Sequence, residues 1–232
     1  MEDAVERIRA RLESLQDPAY RAFQCRLIPT VPPQRVLGVR MPALRALAGQ
    51  LAGTREAAAF LSVLPHASCD EDNLHALLLE GERDFSAALA GVEAFLPYID
   101  NWATCDLPAP RVFGRNKAAL LPQVRRWMAS GQTYPVRYGI GQLQRFYLET
   151  EFRPEMLAWV AEIDSQEYYV RMMQAWYFAT ALAKQPAAAA PWLEKPGRME
   201  EWTRRKAIRK GLESRRISPE QKDWLRRCSQ KL

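Results

Sequence analysis

The sequence predicts an all-α fold, an α-solenoid of antiparallel helix pairs that curves to present a basic concave face. Three observations predict it. Apolar residues recur at helical rather than alternating spacing, prolines and glycines cut the chain into segments of one helix each, and a helix-opening pattern returns at a fixed interval.

Taken in order, Pro42 followed by Leu44, Leu47, Ala48 and Leu51 reads as a helix with proline in its first turn. Asp84 to Leu96 places Phe85, Leu89, Val92 and Leu96 on one face. In Asp100-Asn101-Trp102-Ala103-Thr104-Cys105-Asp106-Leu107-Pro108, Asp100 or Asn101 can cap a short helix that Pro108 ends. Pro135 precedes Val136, Ile140, Leu143, Phe146 and Tyr147 at helical spacing. Second helices are expected over Pro154–Ile163 and Pro186–Leu193, with Pro191, Pro196 and the Ser130–Gly131 step as further breaks. No run of four to eight residues alternates convincingly.

The interval is 34 residues. Tyr134-Pro135-Val136-Arg137 returns as Tyr168-Tyr169-Val170-Arg171, and Trp202-Thr203-Arg204-Arg205 again has an aromatic and an arginine at the matching positions. Such a period, built from helix pairs that bury their apolar faces against neighbouring pairs, marks an α-solenoid. Tetratricopeptide repeats share the period, but their Trp-x2-Leu-Gly-x2-Tyr signature is absent, so HEAT-like pairs fit better. A four-residue echo arising by chance is the competing explanation. In stacked repeats Arg137, Arg171 and Arg205 form one row, suited either to phosphates or to bridges onto acids of the next repeat such as Glu167 and Glu201.

Composition bounds the class. The chain has 232 residues, 48% apolar and 26% charged, with 11 Gly and 16 Pro, which suffices for a core and argues against wholesale disorder. One HEAT-like repeat domain over 1–232 is expected, with atypical N-terminal helices in 1–36 and basic C-terminal helices in 198–232. No apolar stretch approaches the roughly 20 residues of a membrane helix. The charged opening Met1-Glu2-Asp3-Ala4-Val5-Glu6-Arg7 is no secretory signal, so a soluble cytoplasmic protein is expected. Cys25, Cys69, Cys105 and Cys228 lie far apart, and the histidines are His66 and His75. Zinc sites, disulfide frameworks and HExxH chemistry therefore lack their residues. Gly139 and Gly141 begin a GxG, but Gln144 stands where the third glycine of a dinucleotide loop belongs. Neither metal nor cofactor is expected.

The formal charge of +6 is unevenly spread. Residues 201–232 hold eleven Lys and Arg against four Asp and Glu, a net +7, which leaves −1 for residues 1–200. This is the footprint of a polyanion binder, or else a solvated helix face with a basic tail. Trp202 and Trp224 inside the segment favour its packing on the body.

Trp102 and Asp106, four residues apart, share one face of the short helix, and Asp106 sits in its last turn, where the macrodipole disfavours an anion. A carboxylate set against local preference beside a large ring suggests a functional site. A core tryptophan, with the aspartate bonded to nearby backbone or to Arg111, is the alternative.

The Trp-x-x-x-Asp of Trp102 and Asp106 resembles the catalytic pair of the AlkD-type DNA alkylation-repair glycosylases, which are built from HEAT-like repeats. Tyr134 to Arg137 resembles that family's helix with a DNA-contacting arginine. Tyr169-Val170-Arg171-Met172-Met173-Gln174-Ala175-Trp176 is similar to the segment of its second active-site tryptophan. Leu37-Gly38-Val39-Arg40-Met41-Pro42-Ala43-Leu44-Arg45 resembles its Gly-[Ile/Val]-x-x-Pro-x-x-Arg lead-in to an early helix, and Arg204-Arg205-Lys206-Ala207-Ile208 its C-terminal basic helix. The likeness spans residues 37–216. It departs at Cys25 to Gln34, where Pro29, Pro32 and Pro33 cannot continue a helix, as in a diverged branch whose N-terminal wall of the lesion site is reduced.

The resemblance implies a DNA glycosylase that removes cationic alkylated purines of the 7-methylguanine and 3-methyladenine type. Such a base leaves as a neutral molecule, so no general acid is needed, in contrast to ordinary glycoside hydrolysis. Asp106, ionised at neutral pH, would stabilise the positive charge on the deoxyribose and orient water. Trp102 and Trp176 would hold the cationic sugar by cation–π contact. Trp176 reads equally as a core residue among Met172, Met173 and Phe178. Arg137, Arg171, Arg204, Arg205, Lys206 and Arg209 would contact double-stranded, alkylated DNA, bound by a monomer. A DNA-binding repeat protein without excision and a protein-interaction solenoid are the other two readings. Affinity for plain duplex that ignores salt would favour the last.

Overall fold

The computed structural model describes residues 2–230, and among these it has fourteen α-helices, three short 3-10 helices and no strand, so the chain is all-α. Met1 of the charged opening and Lys231 of the basic segment lie outside the described residues. No helix among the described residues is long and apolar enough to cross a membrane. The residues pack as two units, one ending at Asn116 and one beginning at Lys117.

The first unit holds α1 (Glu2–Ser14), α2 (Pro18–Leu27), α3 (Met41–Leu51), α4 (Arg55–Leu61), α5 (Cys69–Leu79), α6 (Phe85–Phe95) and α7 (Trp102–Cys105). Side-chain caps set several starts, because the first amides of a helix have no partner within it. Asp17 accepts from Ala19 and Tyr20 for α2, Thr54 from Ala57 for α4, and Asp84 from Ala87 for α6. Ser68 and Glu71 complete a reciprocal capping box on α5. Pro42 stands in the first turn of α3, as its spacing predicts.

Helix α5 organises this unit. Its Leu74 packs with Ile8 and Leu12 of α1, Leu44 and Leu47 of α3 and Phe60 of α4. Each such side chain stabilises the fold by roughly 1.5–3 kcal/mol on full burial. The first two turns also bury four acids and amides that receive distant partners. The Asp70 carboxylate accepts the backbone N–H groups of Leu37 (2.7 Å), Gly38 (3.3 Å) and Val39 (2.8 Å). Arg9 pairs with Glu71 at 3.1 Å and Arg35 with Asp72 at 2.9 Å. Buried polar and charged groups are tolerated only when they find partners in this way.

Three prolines follow α2, and the segment from Ile28 to Arg40 is irregular apart from a 3-10 turn at Pro33–Arg35. The Arg21 guanidinium holds it by donating to the carbonyls of Val36 and Pro33, each at 2.6 Å. Gly38 has φ +86°, and a Cβ there would lie 2.6–2.8 Å from Arg21 atoms, so only glycine fits.

The second unit holds α8 (Lys117–Met128), α9 (Thr133–Phe146), α10 (Glu155–Ala161), α11 (Tyr168–Lys184), α12 (Pro186–Glu194), α13 (Glu201–Glu213) and α14 (Pro219–Gln230). The helices that open with the recurring pattern form a packed row, α9 on α11 and α11 on α13, with α8 against α9 and α14 against α13. Their first turns meet through aromatic rings. Tyr134 and Tyr169 have centroids 6.3 Å apart, and Tyr168 and Trp202 5.8 Å. Gly139 of the incomplete GxG is a packing residue, since a Cβ would come within 2.8 Å of Met128 Cγ and 3.0 Å of the Val124 carbonyl.

Candidate functional site

In the first unit, α7 is only four residues long and is fixed by hydrogen bonds rather than by length. Asn101 caps it, accepting the Thr104 N–H at 2.9 Å, and also donates to the Thr104 hydroxyl at 3.0 Å. That hydroxyl donates to Asn73 Oδ1 at 2.7 Å, which anchors the turn to α5. Asp100, the other cap candidate, instead joins Arg35, which bridges to Asp72. Burial, with the negative charges of Asp100 and Glu71, pushes the Asp72 carboxyl up to about 8 despite Arg35.

Asp106 closes α7 as its C-cap, and its N–H donates to the Trp102 carbonyl at 3.1 Å. The pair therefore occupies one turn, as the spacing predicts. Asp106 is half-buried. Trp102 donates its indole N–H to the carbonyl of Leu27 at 2.9 Å and packs against Ile28, Val31, Val36 and Cys69. The irregular segment after α2 thus lies directly on the candidate tryptophan.

In the second unit the expected DNA-contacting residues divide into two groups. Arg137 is buried and donates to the Tyr169 carbonyl at 2.8 Å. Arg171 donates to Glu200 at 2.7 Å, and its guanidinium lies 4.3 Å from the Trp202 ring centroid. Each of these two arginines reaches the start of the next helix of the row, so they tie α9 to α11 and α11 to α13. Partial burial works against ionisation of Glu200, but Arg171 and the N–H groups of Trp202 and Thr203 bring its carboxyl down to about 2. Arg204 has a side chain only 1% exposed and holds Glu201 and the Leu193 carbonyl (2.7 Å). A guanidinium so enclosed is part of the core and does not reach a phosphate as the structure stands.

The other group faces solvent. Arg205 pairs with Glu201 at 3.1 Å and Arg209 with Glu213 at 3.0 Å, while Lys206 lies 5.2 Å from the Trp202 ring. Pairs this exposed are worth about 0–1 kcal/mol, so another anion displaces them at little cost.

Trp176 is not a core residue. It is 42% exposed although Ala175 and Tyr177 beside it are buried. It lines a groove of about 380 Å³ together with Gln144, Thr180, Lys210, Arg215 and Arg216. Lys210, Arg215 and Arg216 belong to the basic C-terminal segment. Nothing in linear spacing joins α11 to the far end of α13.

A family model described as "DNA alkylation repair enzyme" matches residues 8–210. The chain belongs to that family. Membership places this DNA alkylation repair family member in DNA repair, with DNA as its substrate class. The match takes in both the α7 turn and the row of α9, α11 and α13. A search of curated proteins found no match.

Proposed function

We propose that this chain is a DNA glycosylase that hydrolyses the N-glycosidic bond of cationic alkylated purines, of the 7-methylguanine and 3-methyladenine type, in double-stranded DNA. The carrying observation is the Trp102–Asp106 turn, a ring and a carboxylate held on one rigid turn by Asn101, Thr104 and Asn73. The glycosidic bond breaks with its electron pair going to the purine nitrogen, which cancels the base's positive charge. The deoxyribose C1′ takes up that charge, and water adds there with loss of a proton, leaving free base and an abasic site. Asp106 stabilises the charge on the sugar and orients the water, acting where charge develops. Trp102 offers a ring face to a cationic sugar, worth about 0.5–2 kcal/mol.

Arg205, Lys206 and Arg209 hold the DNA backbone, joined by Lys210, Arg215 and Arg216 beside Trp176. Arg137, Arg171 and Arg204 position the helices that carry them. The 34-residue return and the row of α9, α11 and α13 support reading the helix pairs of the second unit as HEAT-like repeats.

The test is base release from methylated DNA by the wild type and by Asp106→Asn. Release of 7-methylguanine by the wild type, slowed about a hundredfold in the variant with duplex affinity unchanged, is the expected result. Equal release by both overturns the site. The contact of Trp102 with Leu27 favours a second reading, DNA binding without excision. In that case neither protein releases base while both bind duplex.

A further inference from the structure

The charge count places the whole basic excess in residues 201–232, yet the first unit has a cationic groove of its own. A cleft of about 720 Å³ lies between the ends of α3 and α5 and the 3-10 turn at Arg111–Arg115, lined by Arg45, Arg83, Arg111 and Arg115 with Glu80 and Glu82. The sequence hides it because the four arginines are scattered over 71 positions and stand among acids.

Both carboxylates are already engaged. Glu80 accepts from Arg45 at 3.3 Å, and Glu82 accepts the backbone N–H groups of Arg83 and Asp84 at 2.6 and 2.9 Å. Arg83, Arg111 and Arg115 are exposed and have no ion pair among the described residues. The C-termini of α3 and α5 oppose an anion here with about half a negative charge each, roughly one unit together. Glu82, bonded only to neutral N–H groups, adds one more negative charge, and the three unpaired guanidiniums still exceed the total of about two. Ala48, Gly49 and Ala52 form a low wall, and a Cβ on Gly49 would meet nothing within 4 Å. A ligand can therefore approach the helix backbone closely.

We infer that this groove binds phosphate groups of the DNA backbone and gives the first unit a grip separate from the C-terminal basic segment. Guanidiniums present paired donors that match phosphate oxygens. An open cleft lined by arginine and small residues suits a continuous strand better than an enclosed apolar ligand. The inference rests on the proposed action on DNA.

The experiment measures binding of a short labelled duplex without lesions at several salt concentrations. It compares the wild type, the triple variant Arg83→Gln/Arg111→Gln/Arg115→Gln, and Gly49→Glu with Gly49→Gln as its neutral partner. Gly49→Glu sets a carboxylate in open space and removes no contact, so loss of folding does not confound it. The triple variant is expected to lower the salt slope of log K by about 2–3, since each phosphate contact contributes about 0.9. Gly49→Glu is expected to bind several-fold more weakly than Gly49→Gln. If the wild type binds and every variant keeps its affinity and slope, the groove inference is overturned while the DNA reading stands. A wild type without salt-dependent duplex binding overturns both. A parallel thermal-shift series with inorganic tripolyphosphate at constant ionic strength separates the sources of phosphate. Stabilisation lost in Gly49→Glu alongside an unchanged duplex slope would assign the groove to a free polyphosphate and overturn the DNA assignment.

Discussion

Trp102 and Leu27, 75 positions apart, are joined by one hydrogen bond from the indole N–H to the main-chain carbonyl at 2.9 Å. Leu27 ends α2, where carbonyls have no partner within the helix. The bond thus satisfies α2 while fixing the orientation of the indole on α7, so structure and proposed chemistry share one side chain.

Trp102→Phe and Trp102→Ala separate the two roles. Phe keeps a ring face but leaves the Leu27 carbonyl without its donor, at a cost of about 1 kcal/mol in urea denaturation. Base release by Phe should stay near wild type. Ala removes the ring as well, and release should fall about tenfold, the kinetic equivalent of about 1.4 kcal/mol of cation–π stabilisation. Equal losses in Phe and Ala would move the role from the ring to the N–H.

The basic helix α13 should divide by burial. Arg204→Ala leaves the Leu193 carbonyl without its buried donor, while Glu201 keeps Arg205, and is expected to cost about 1–3 kcal/mol in stability. Arg205→Ala and Arg209→Ala should change stability by less than about 0.5 kcal/mol, as exposed substitutions do, while weakening duplex binding. Denaturation midpoints and duplex titrations on the same three proteins check both halves.

What was legible in the sequence is what neighbours along the chain decide. A cap at Asp100 or Asn101, the shared turn of Trp102 and Asp106, and the first-turn aromatics of α9, α11 and α13 all depend on residues within four positions. Burial depends on partners from elsewhere. Asp70, Glu71 and Asp72 have the look of a solvated helix start, but Arg9, Arg35 and the Leu37–Val39 backbone enclose them from 31 to 62 positions away. The same distance dependence hid the enclosure of Arg137 and Arg204, the exposure of Trp176 and the arginine groove. Where α11 is covered on nearly every side, no apolar stripe marks which residue will be left outside.

Two glycines should respond in opposite directions. Gly38→Ala must accept a left-handed φ and a clash with Arg21 backbone, and is expected to destabilise by about 2–3 kcal/mol. Gly49→Ala, inside α3 and facing open space, should stabilise by about 0.5–1 kcal/mol through helix propensity. Thermal unfolding of the two variants beside the wild type checks the signs.

Stability should peak near pH 6.5 as far as three buried groups control it. His66 Nε2 and His75 Nδ1 lie 2.9 Å apart, and the rings stack on Phe60 and Phe95. Burial lowers His66 to about 4, Glu71 opposing and Arg9 and Arg35 assisting, and lowers His75 to about 3 with His66 contributing. Unfolded histidines titrate near 6.5, so as pH falls below that value the unfolded chain gains protons that the fold refuses, and stability drops. Asp72 acts in the opposite sense. Raised from 3.8 to about 8, it keeps a proton in the fold that the unfolded chain has lost, so stability declines as pH rises through that window. Between about pH 4 and 6.5 the two histidines outweigh the one aspartate, and stability climbs by about 1.4 kcal/mol per pH unit. From 6.5 to 8 only Asp72 titrates, and stability declines. Urea midpoints measured across this range should trace that dome, and Asp72→Asn should flatten its upper limb while leaving the lower one to the histidines. An upper limb unchanged in Asp72→Asn would show that another group controls it.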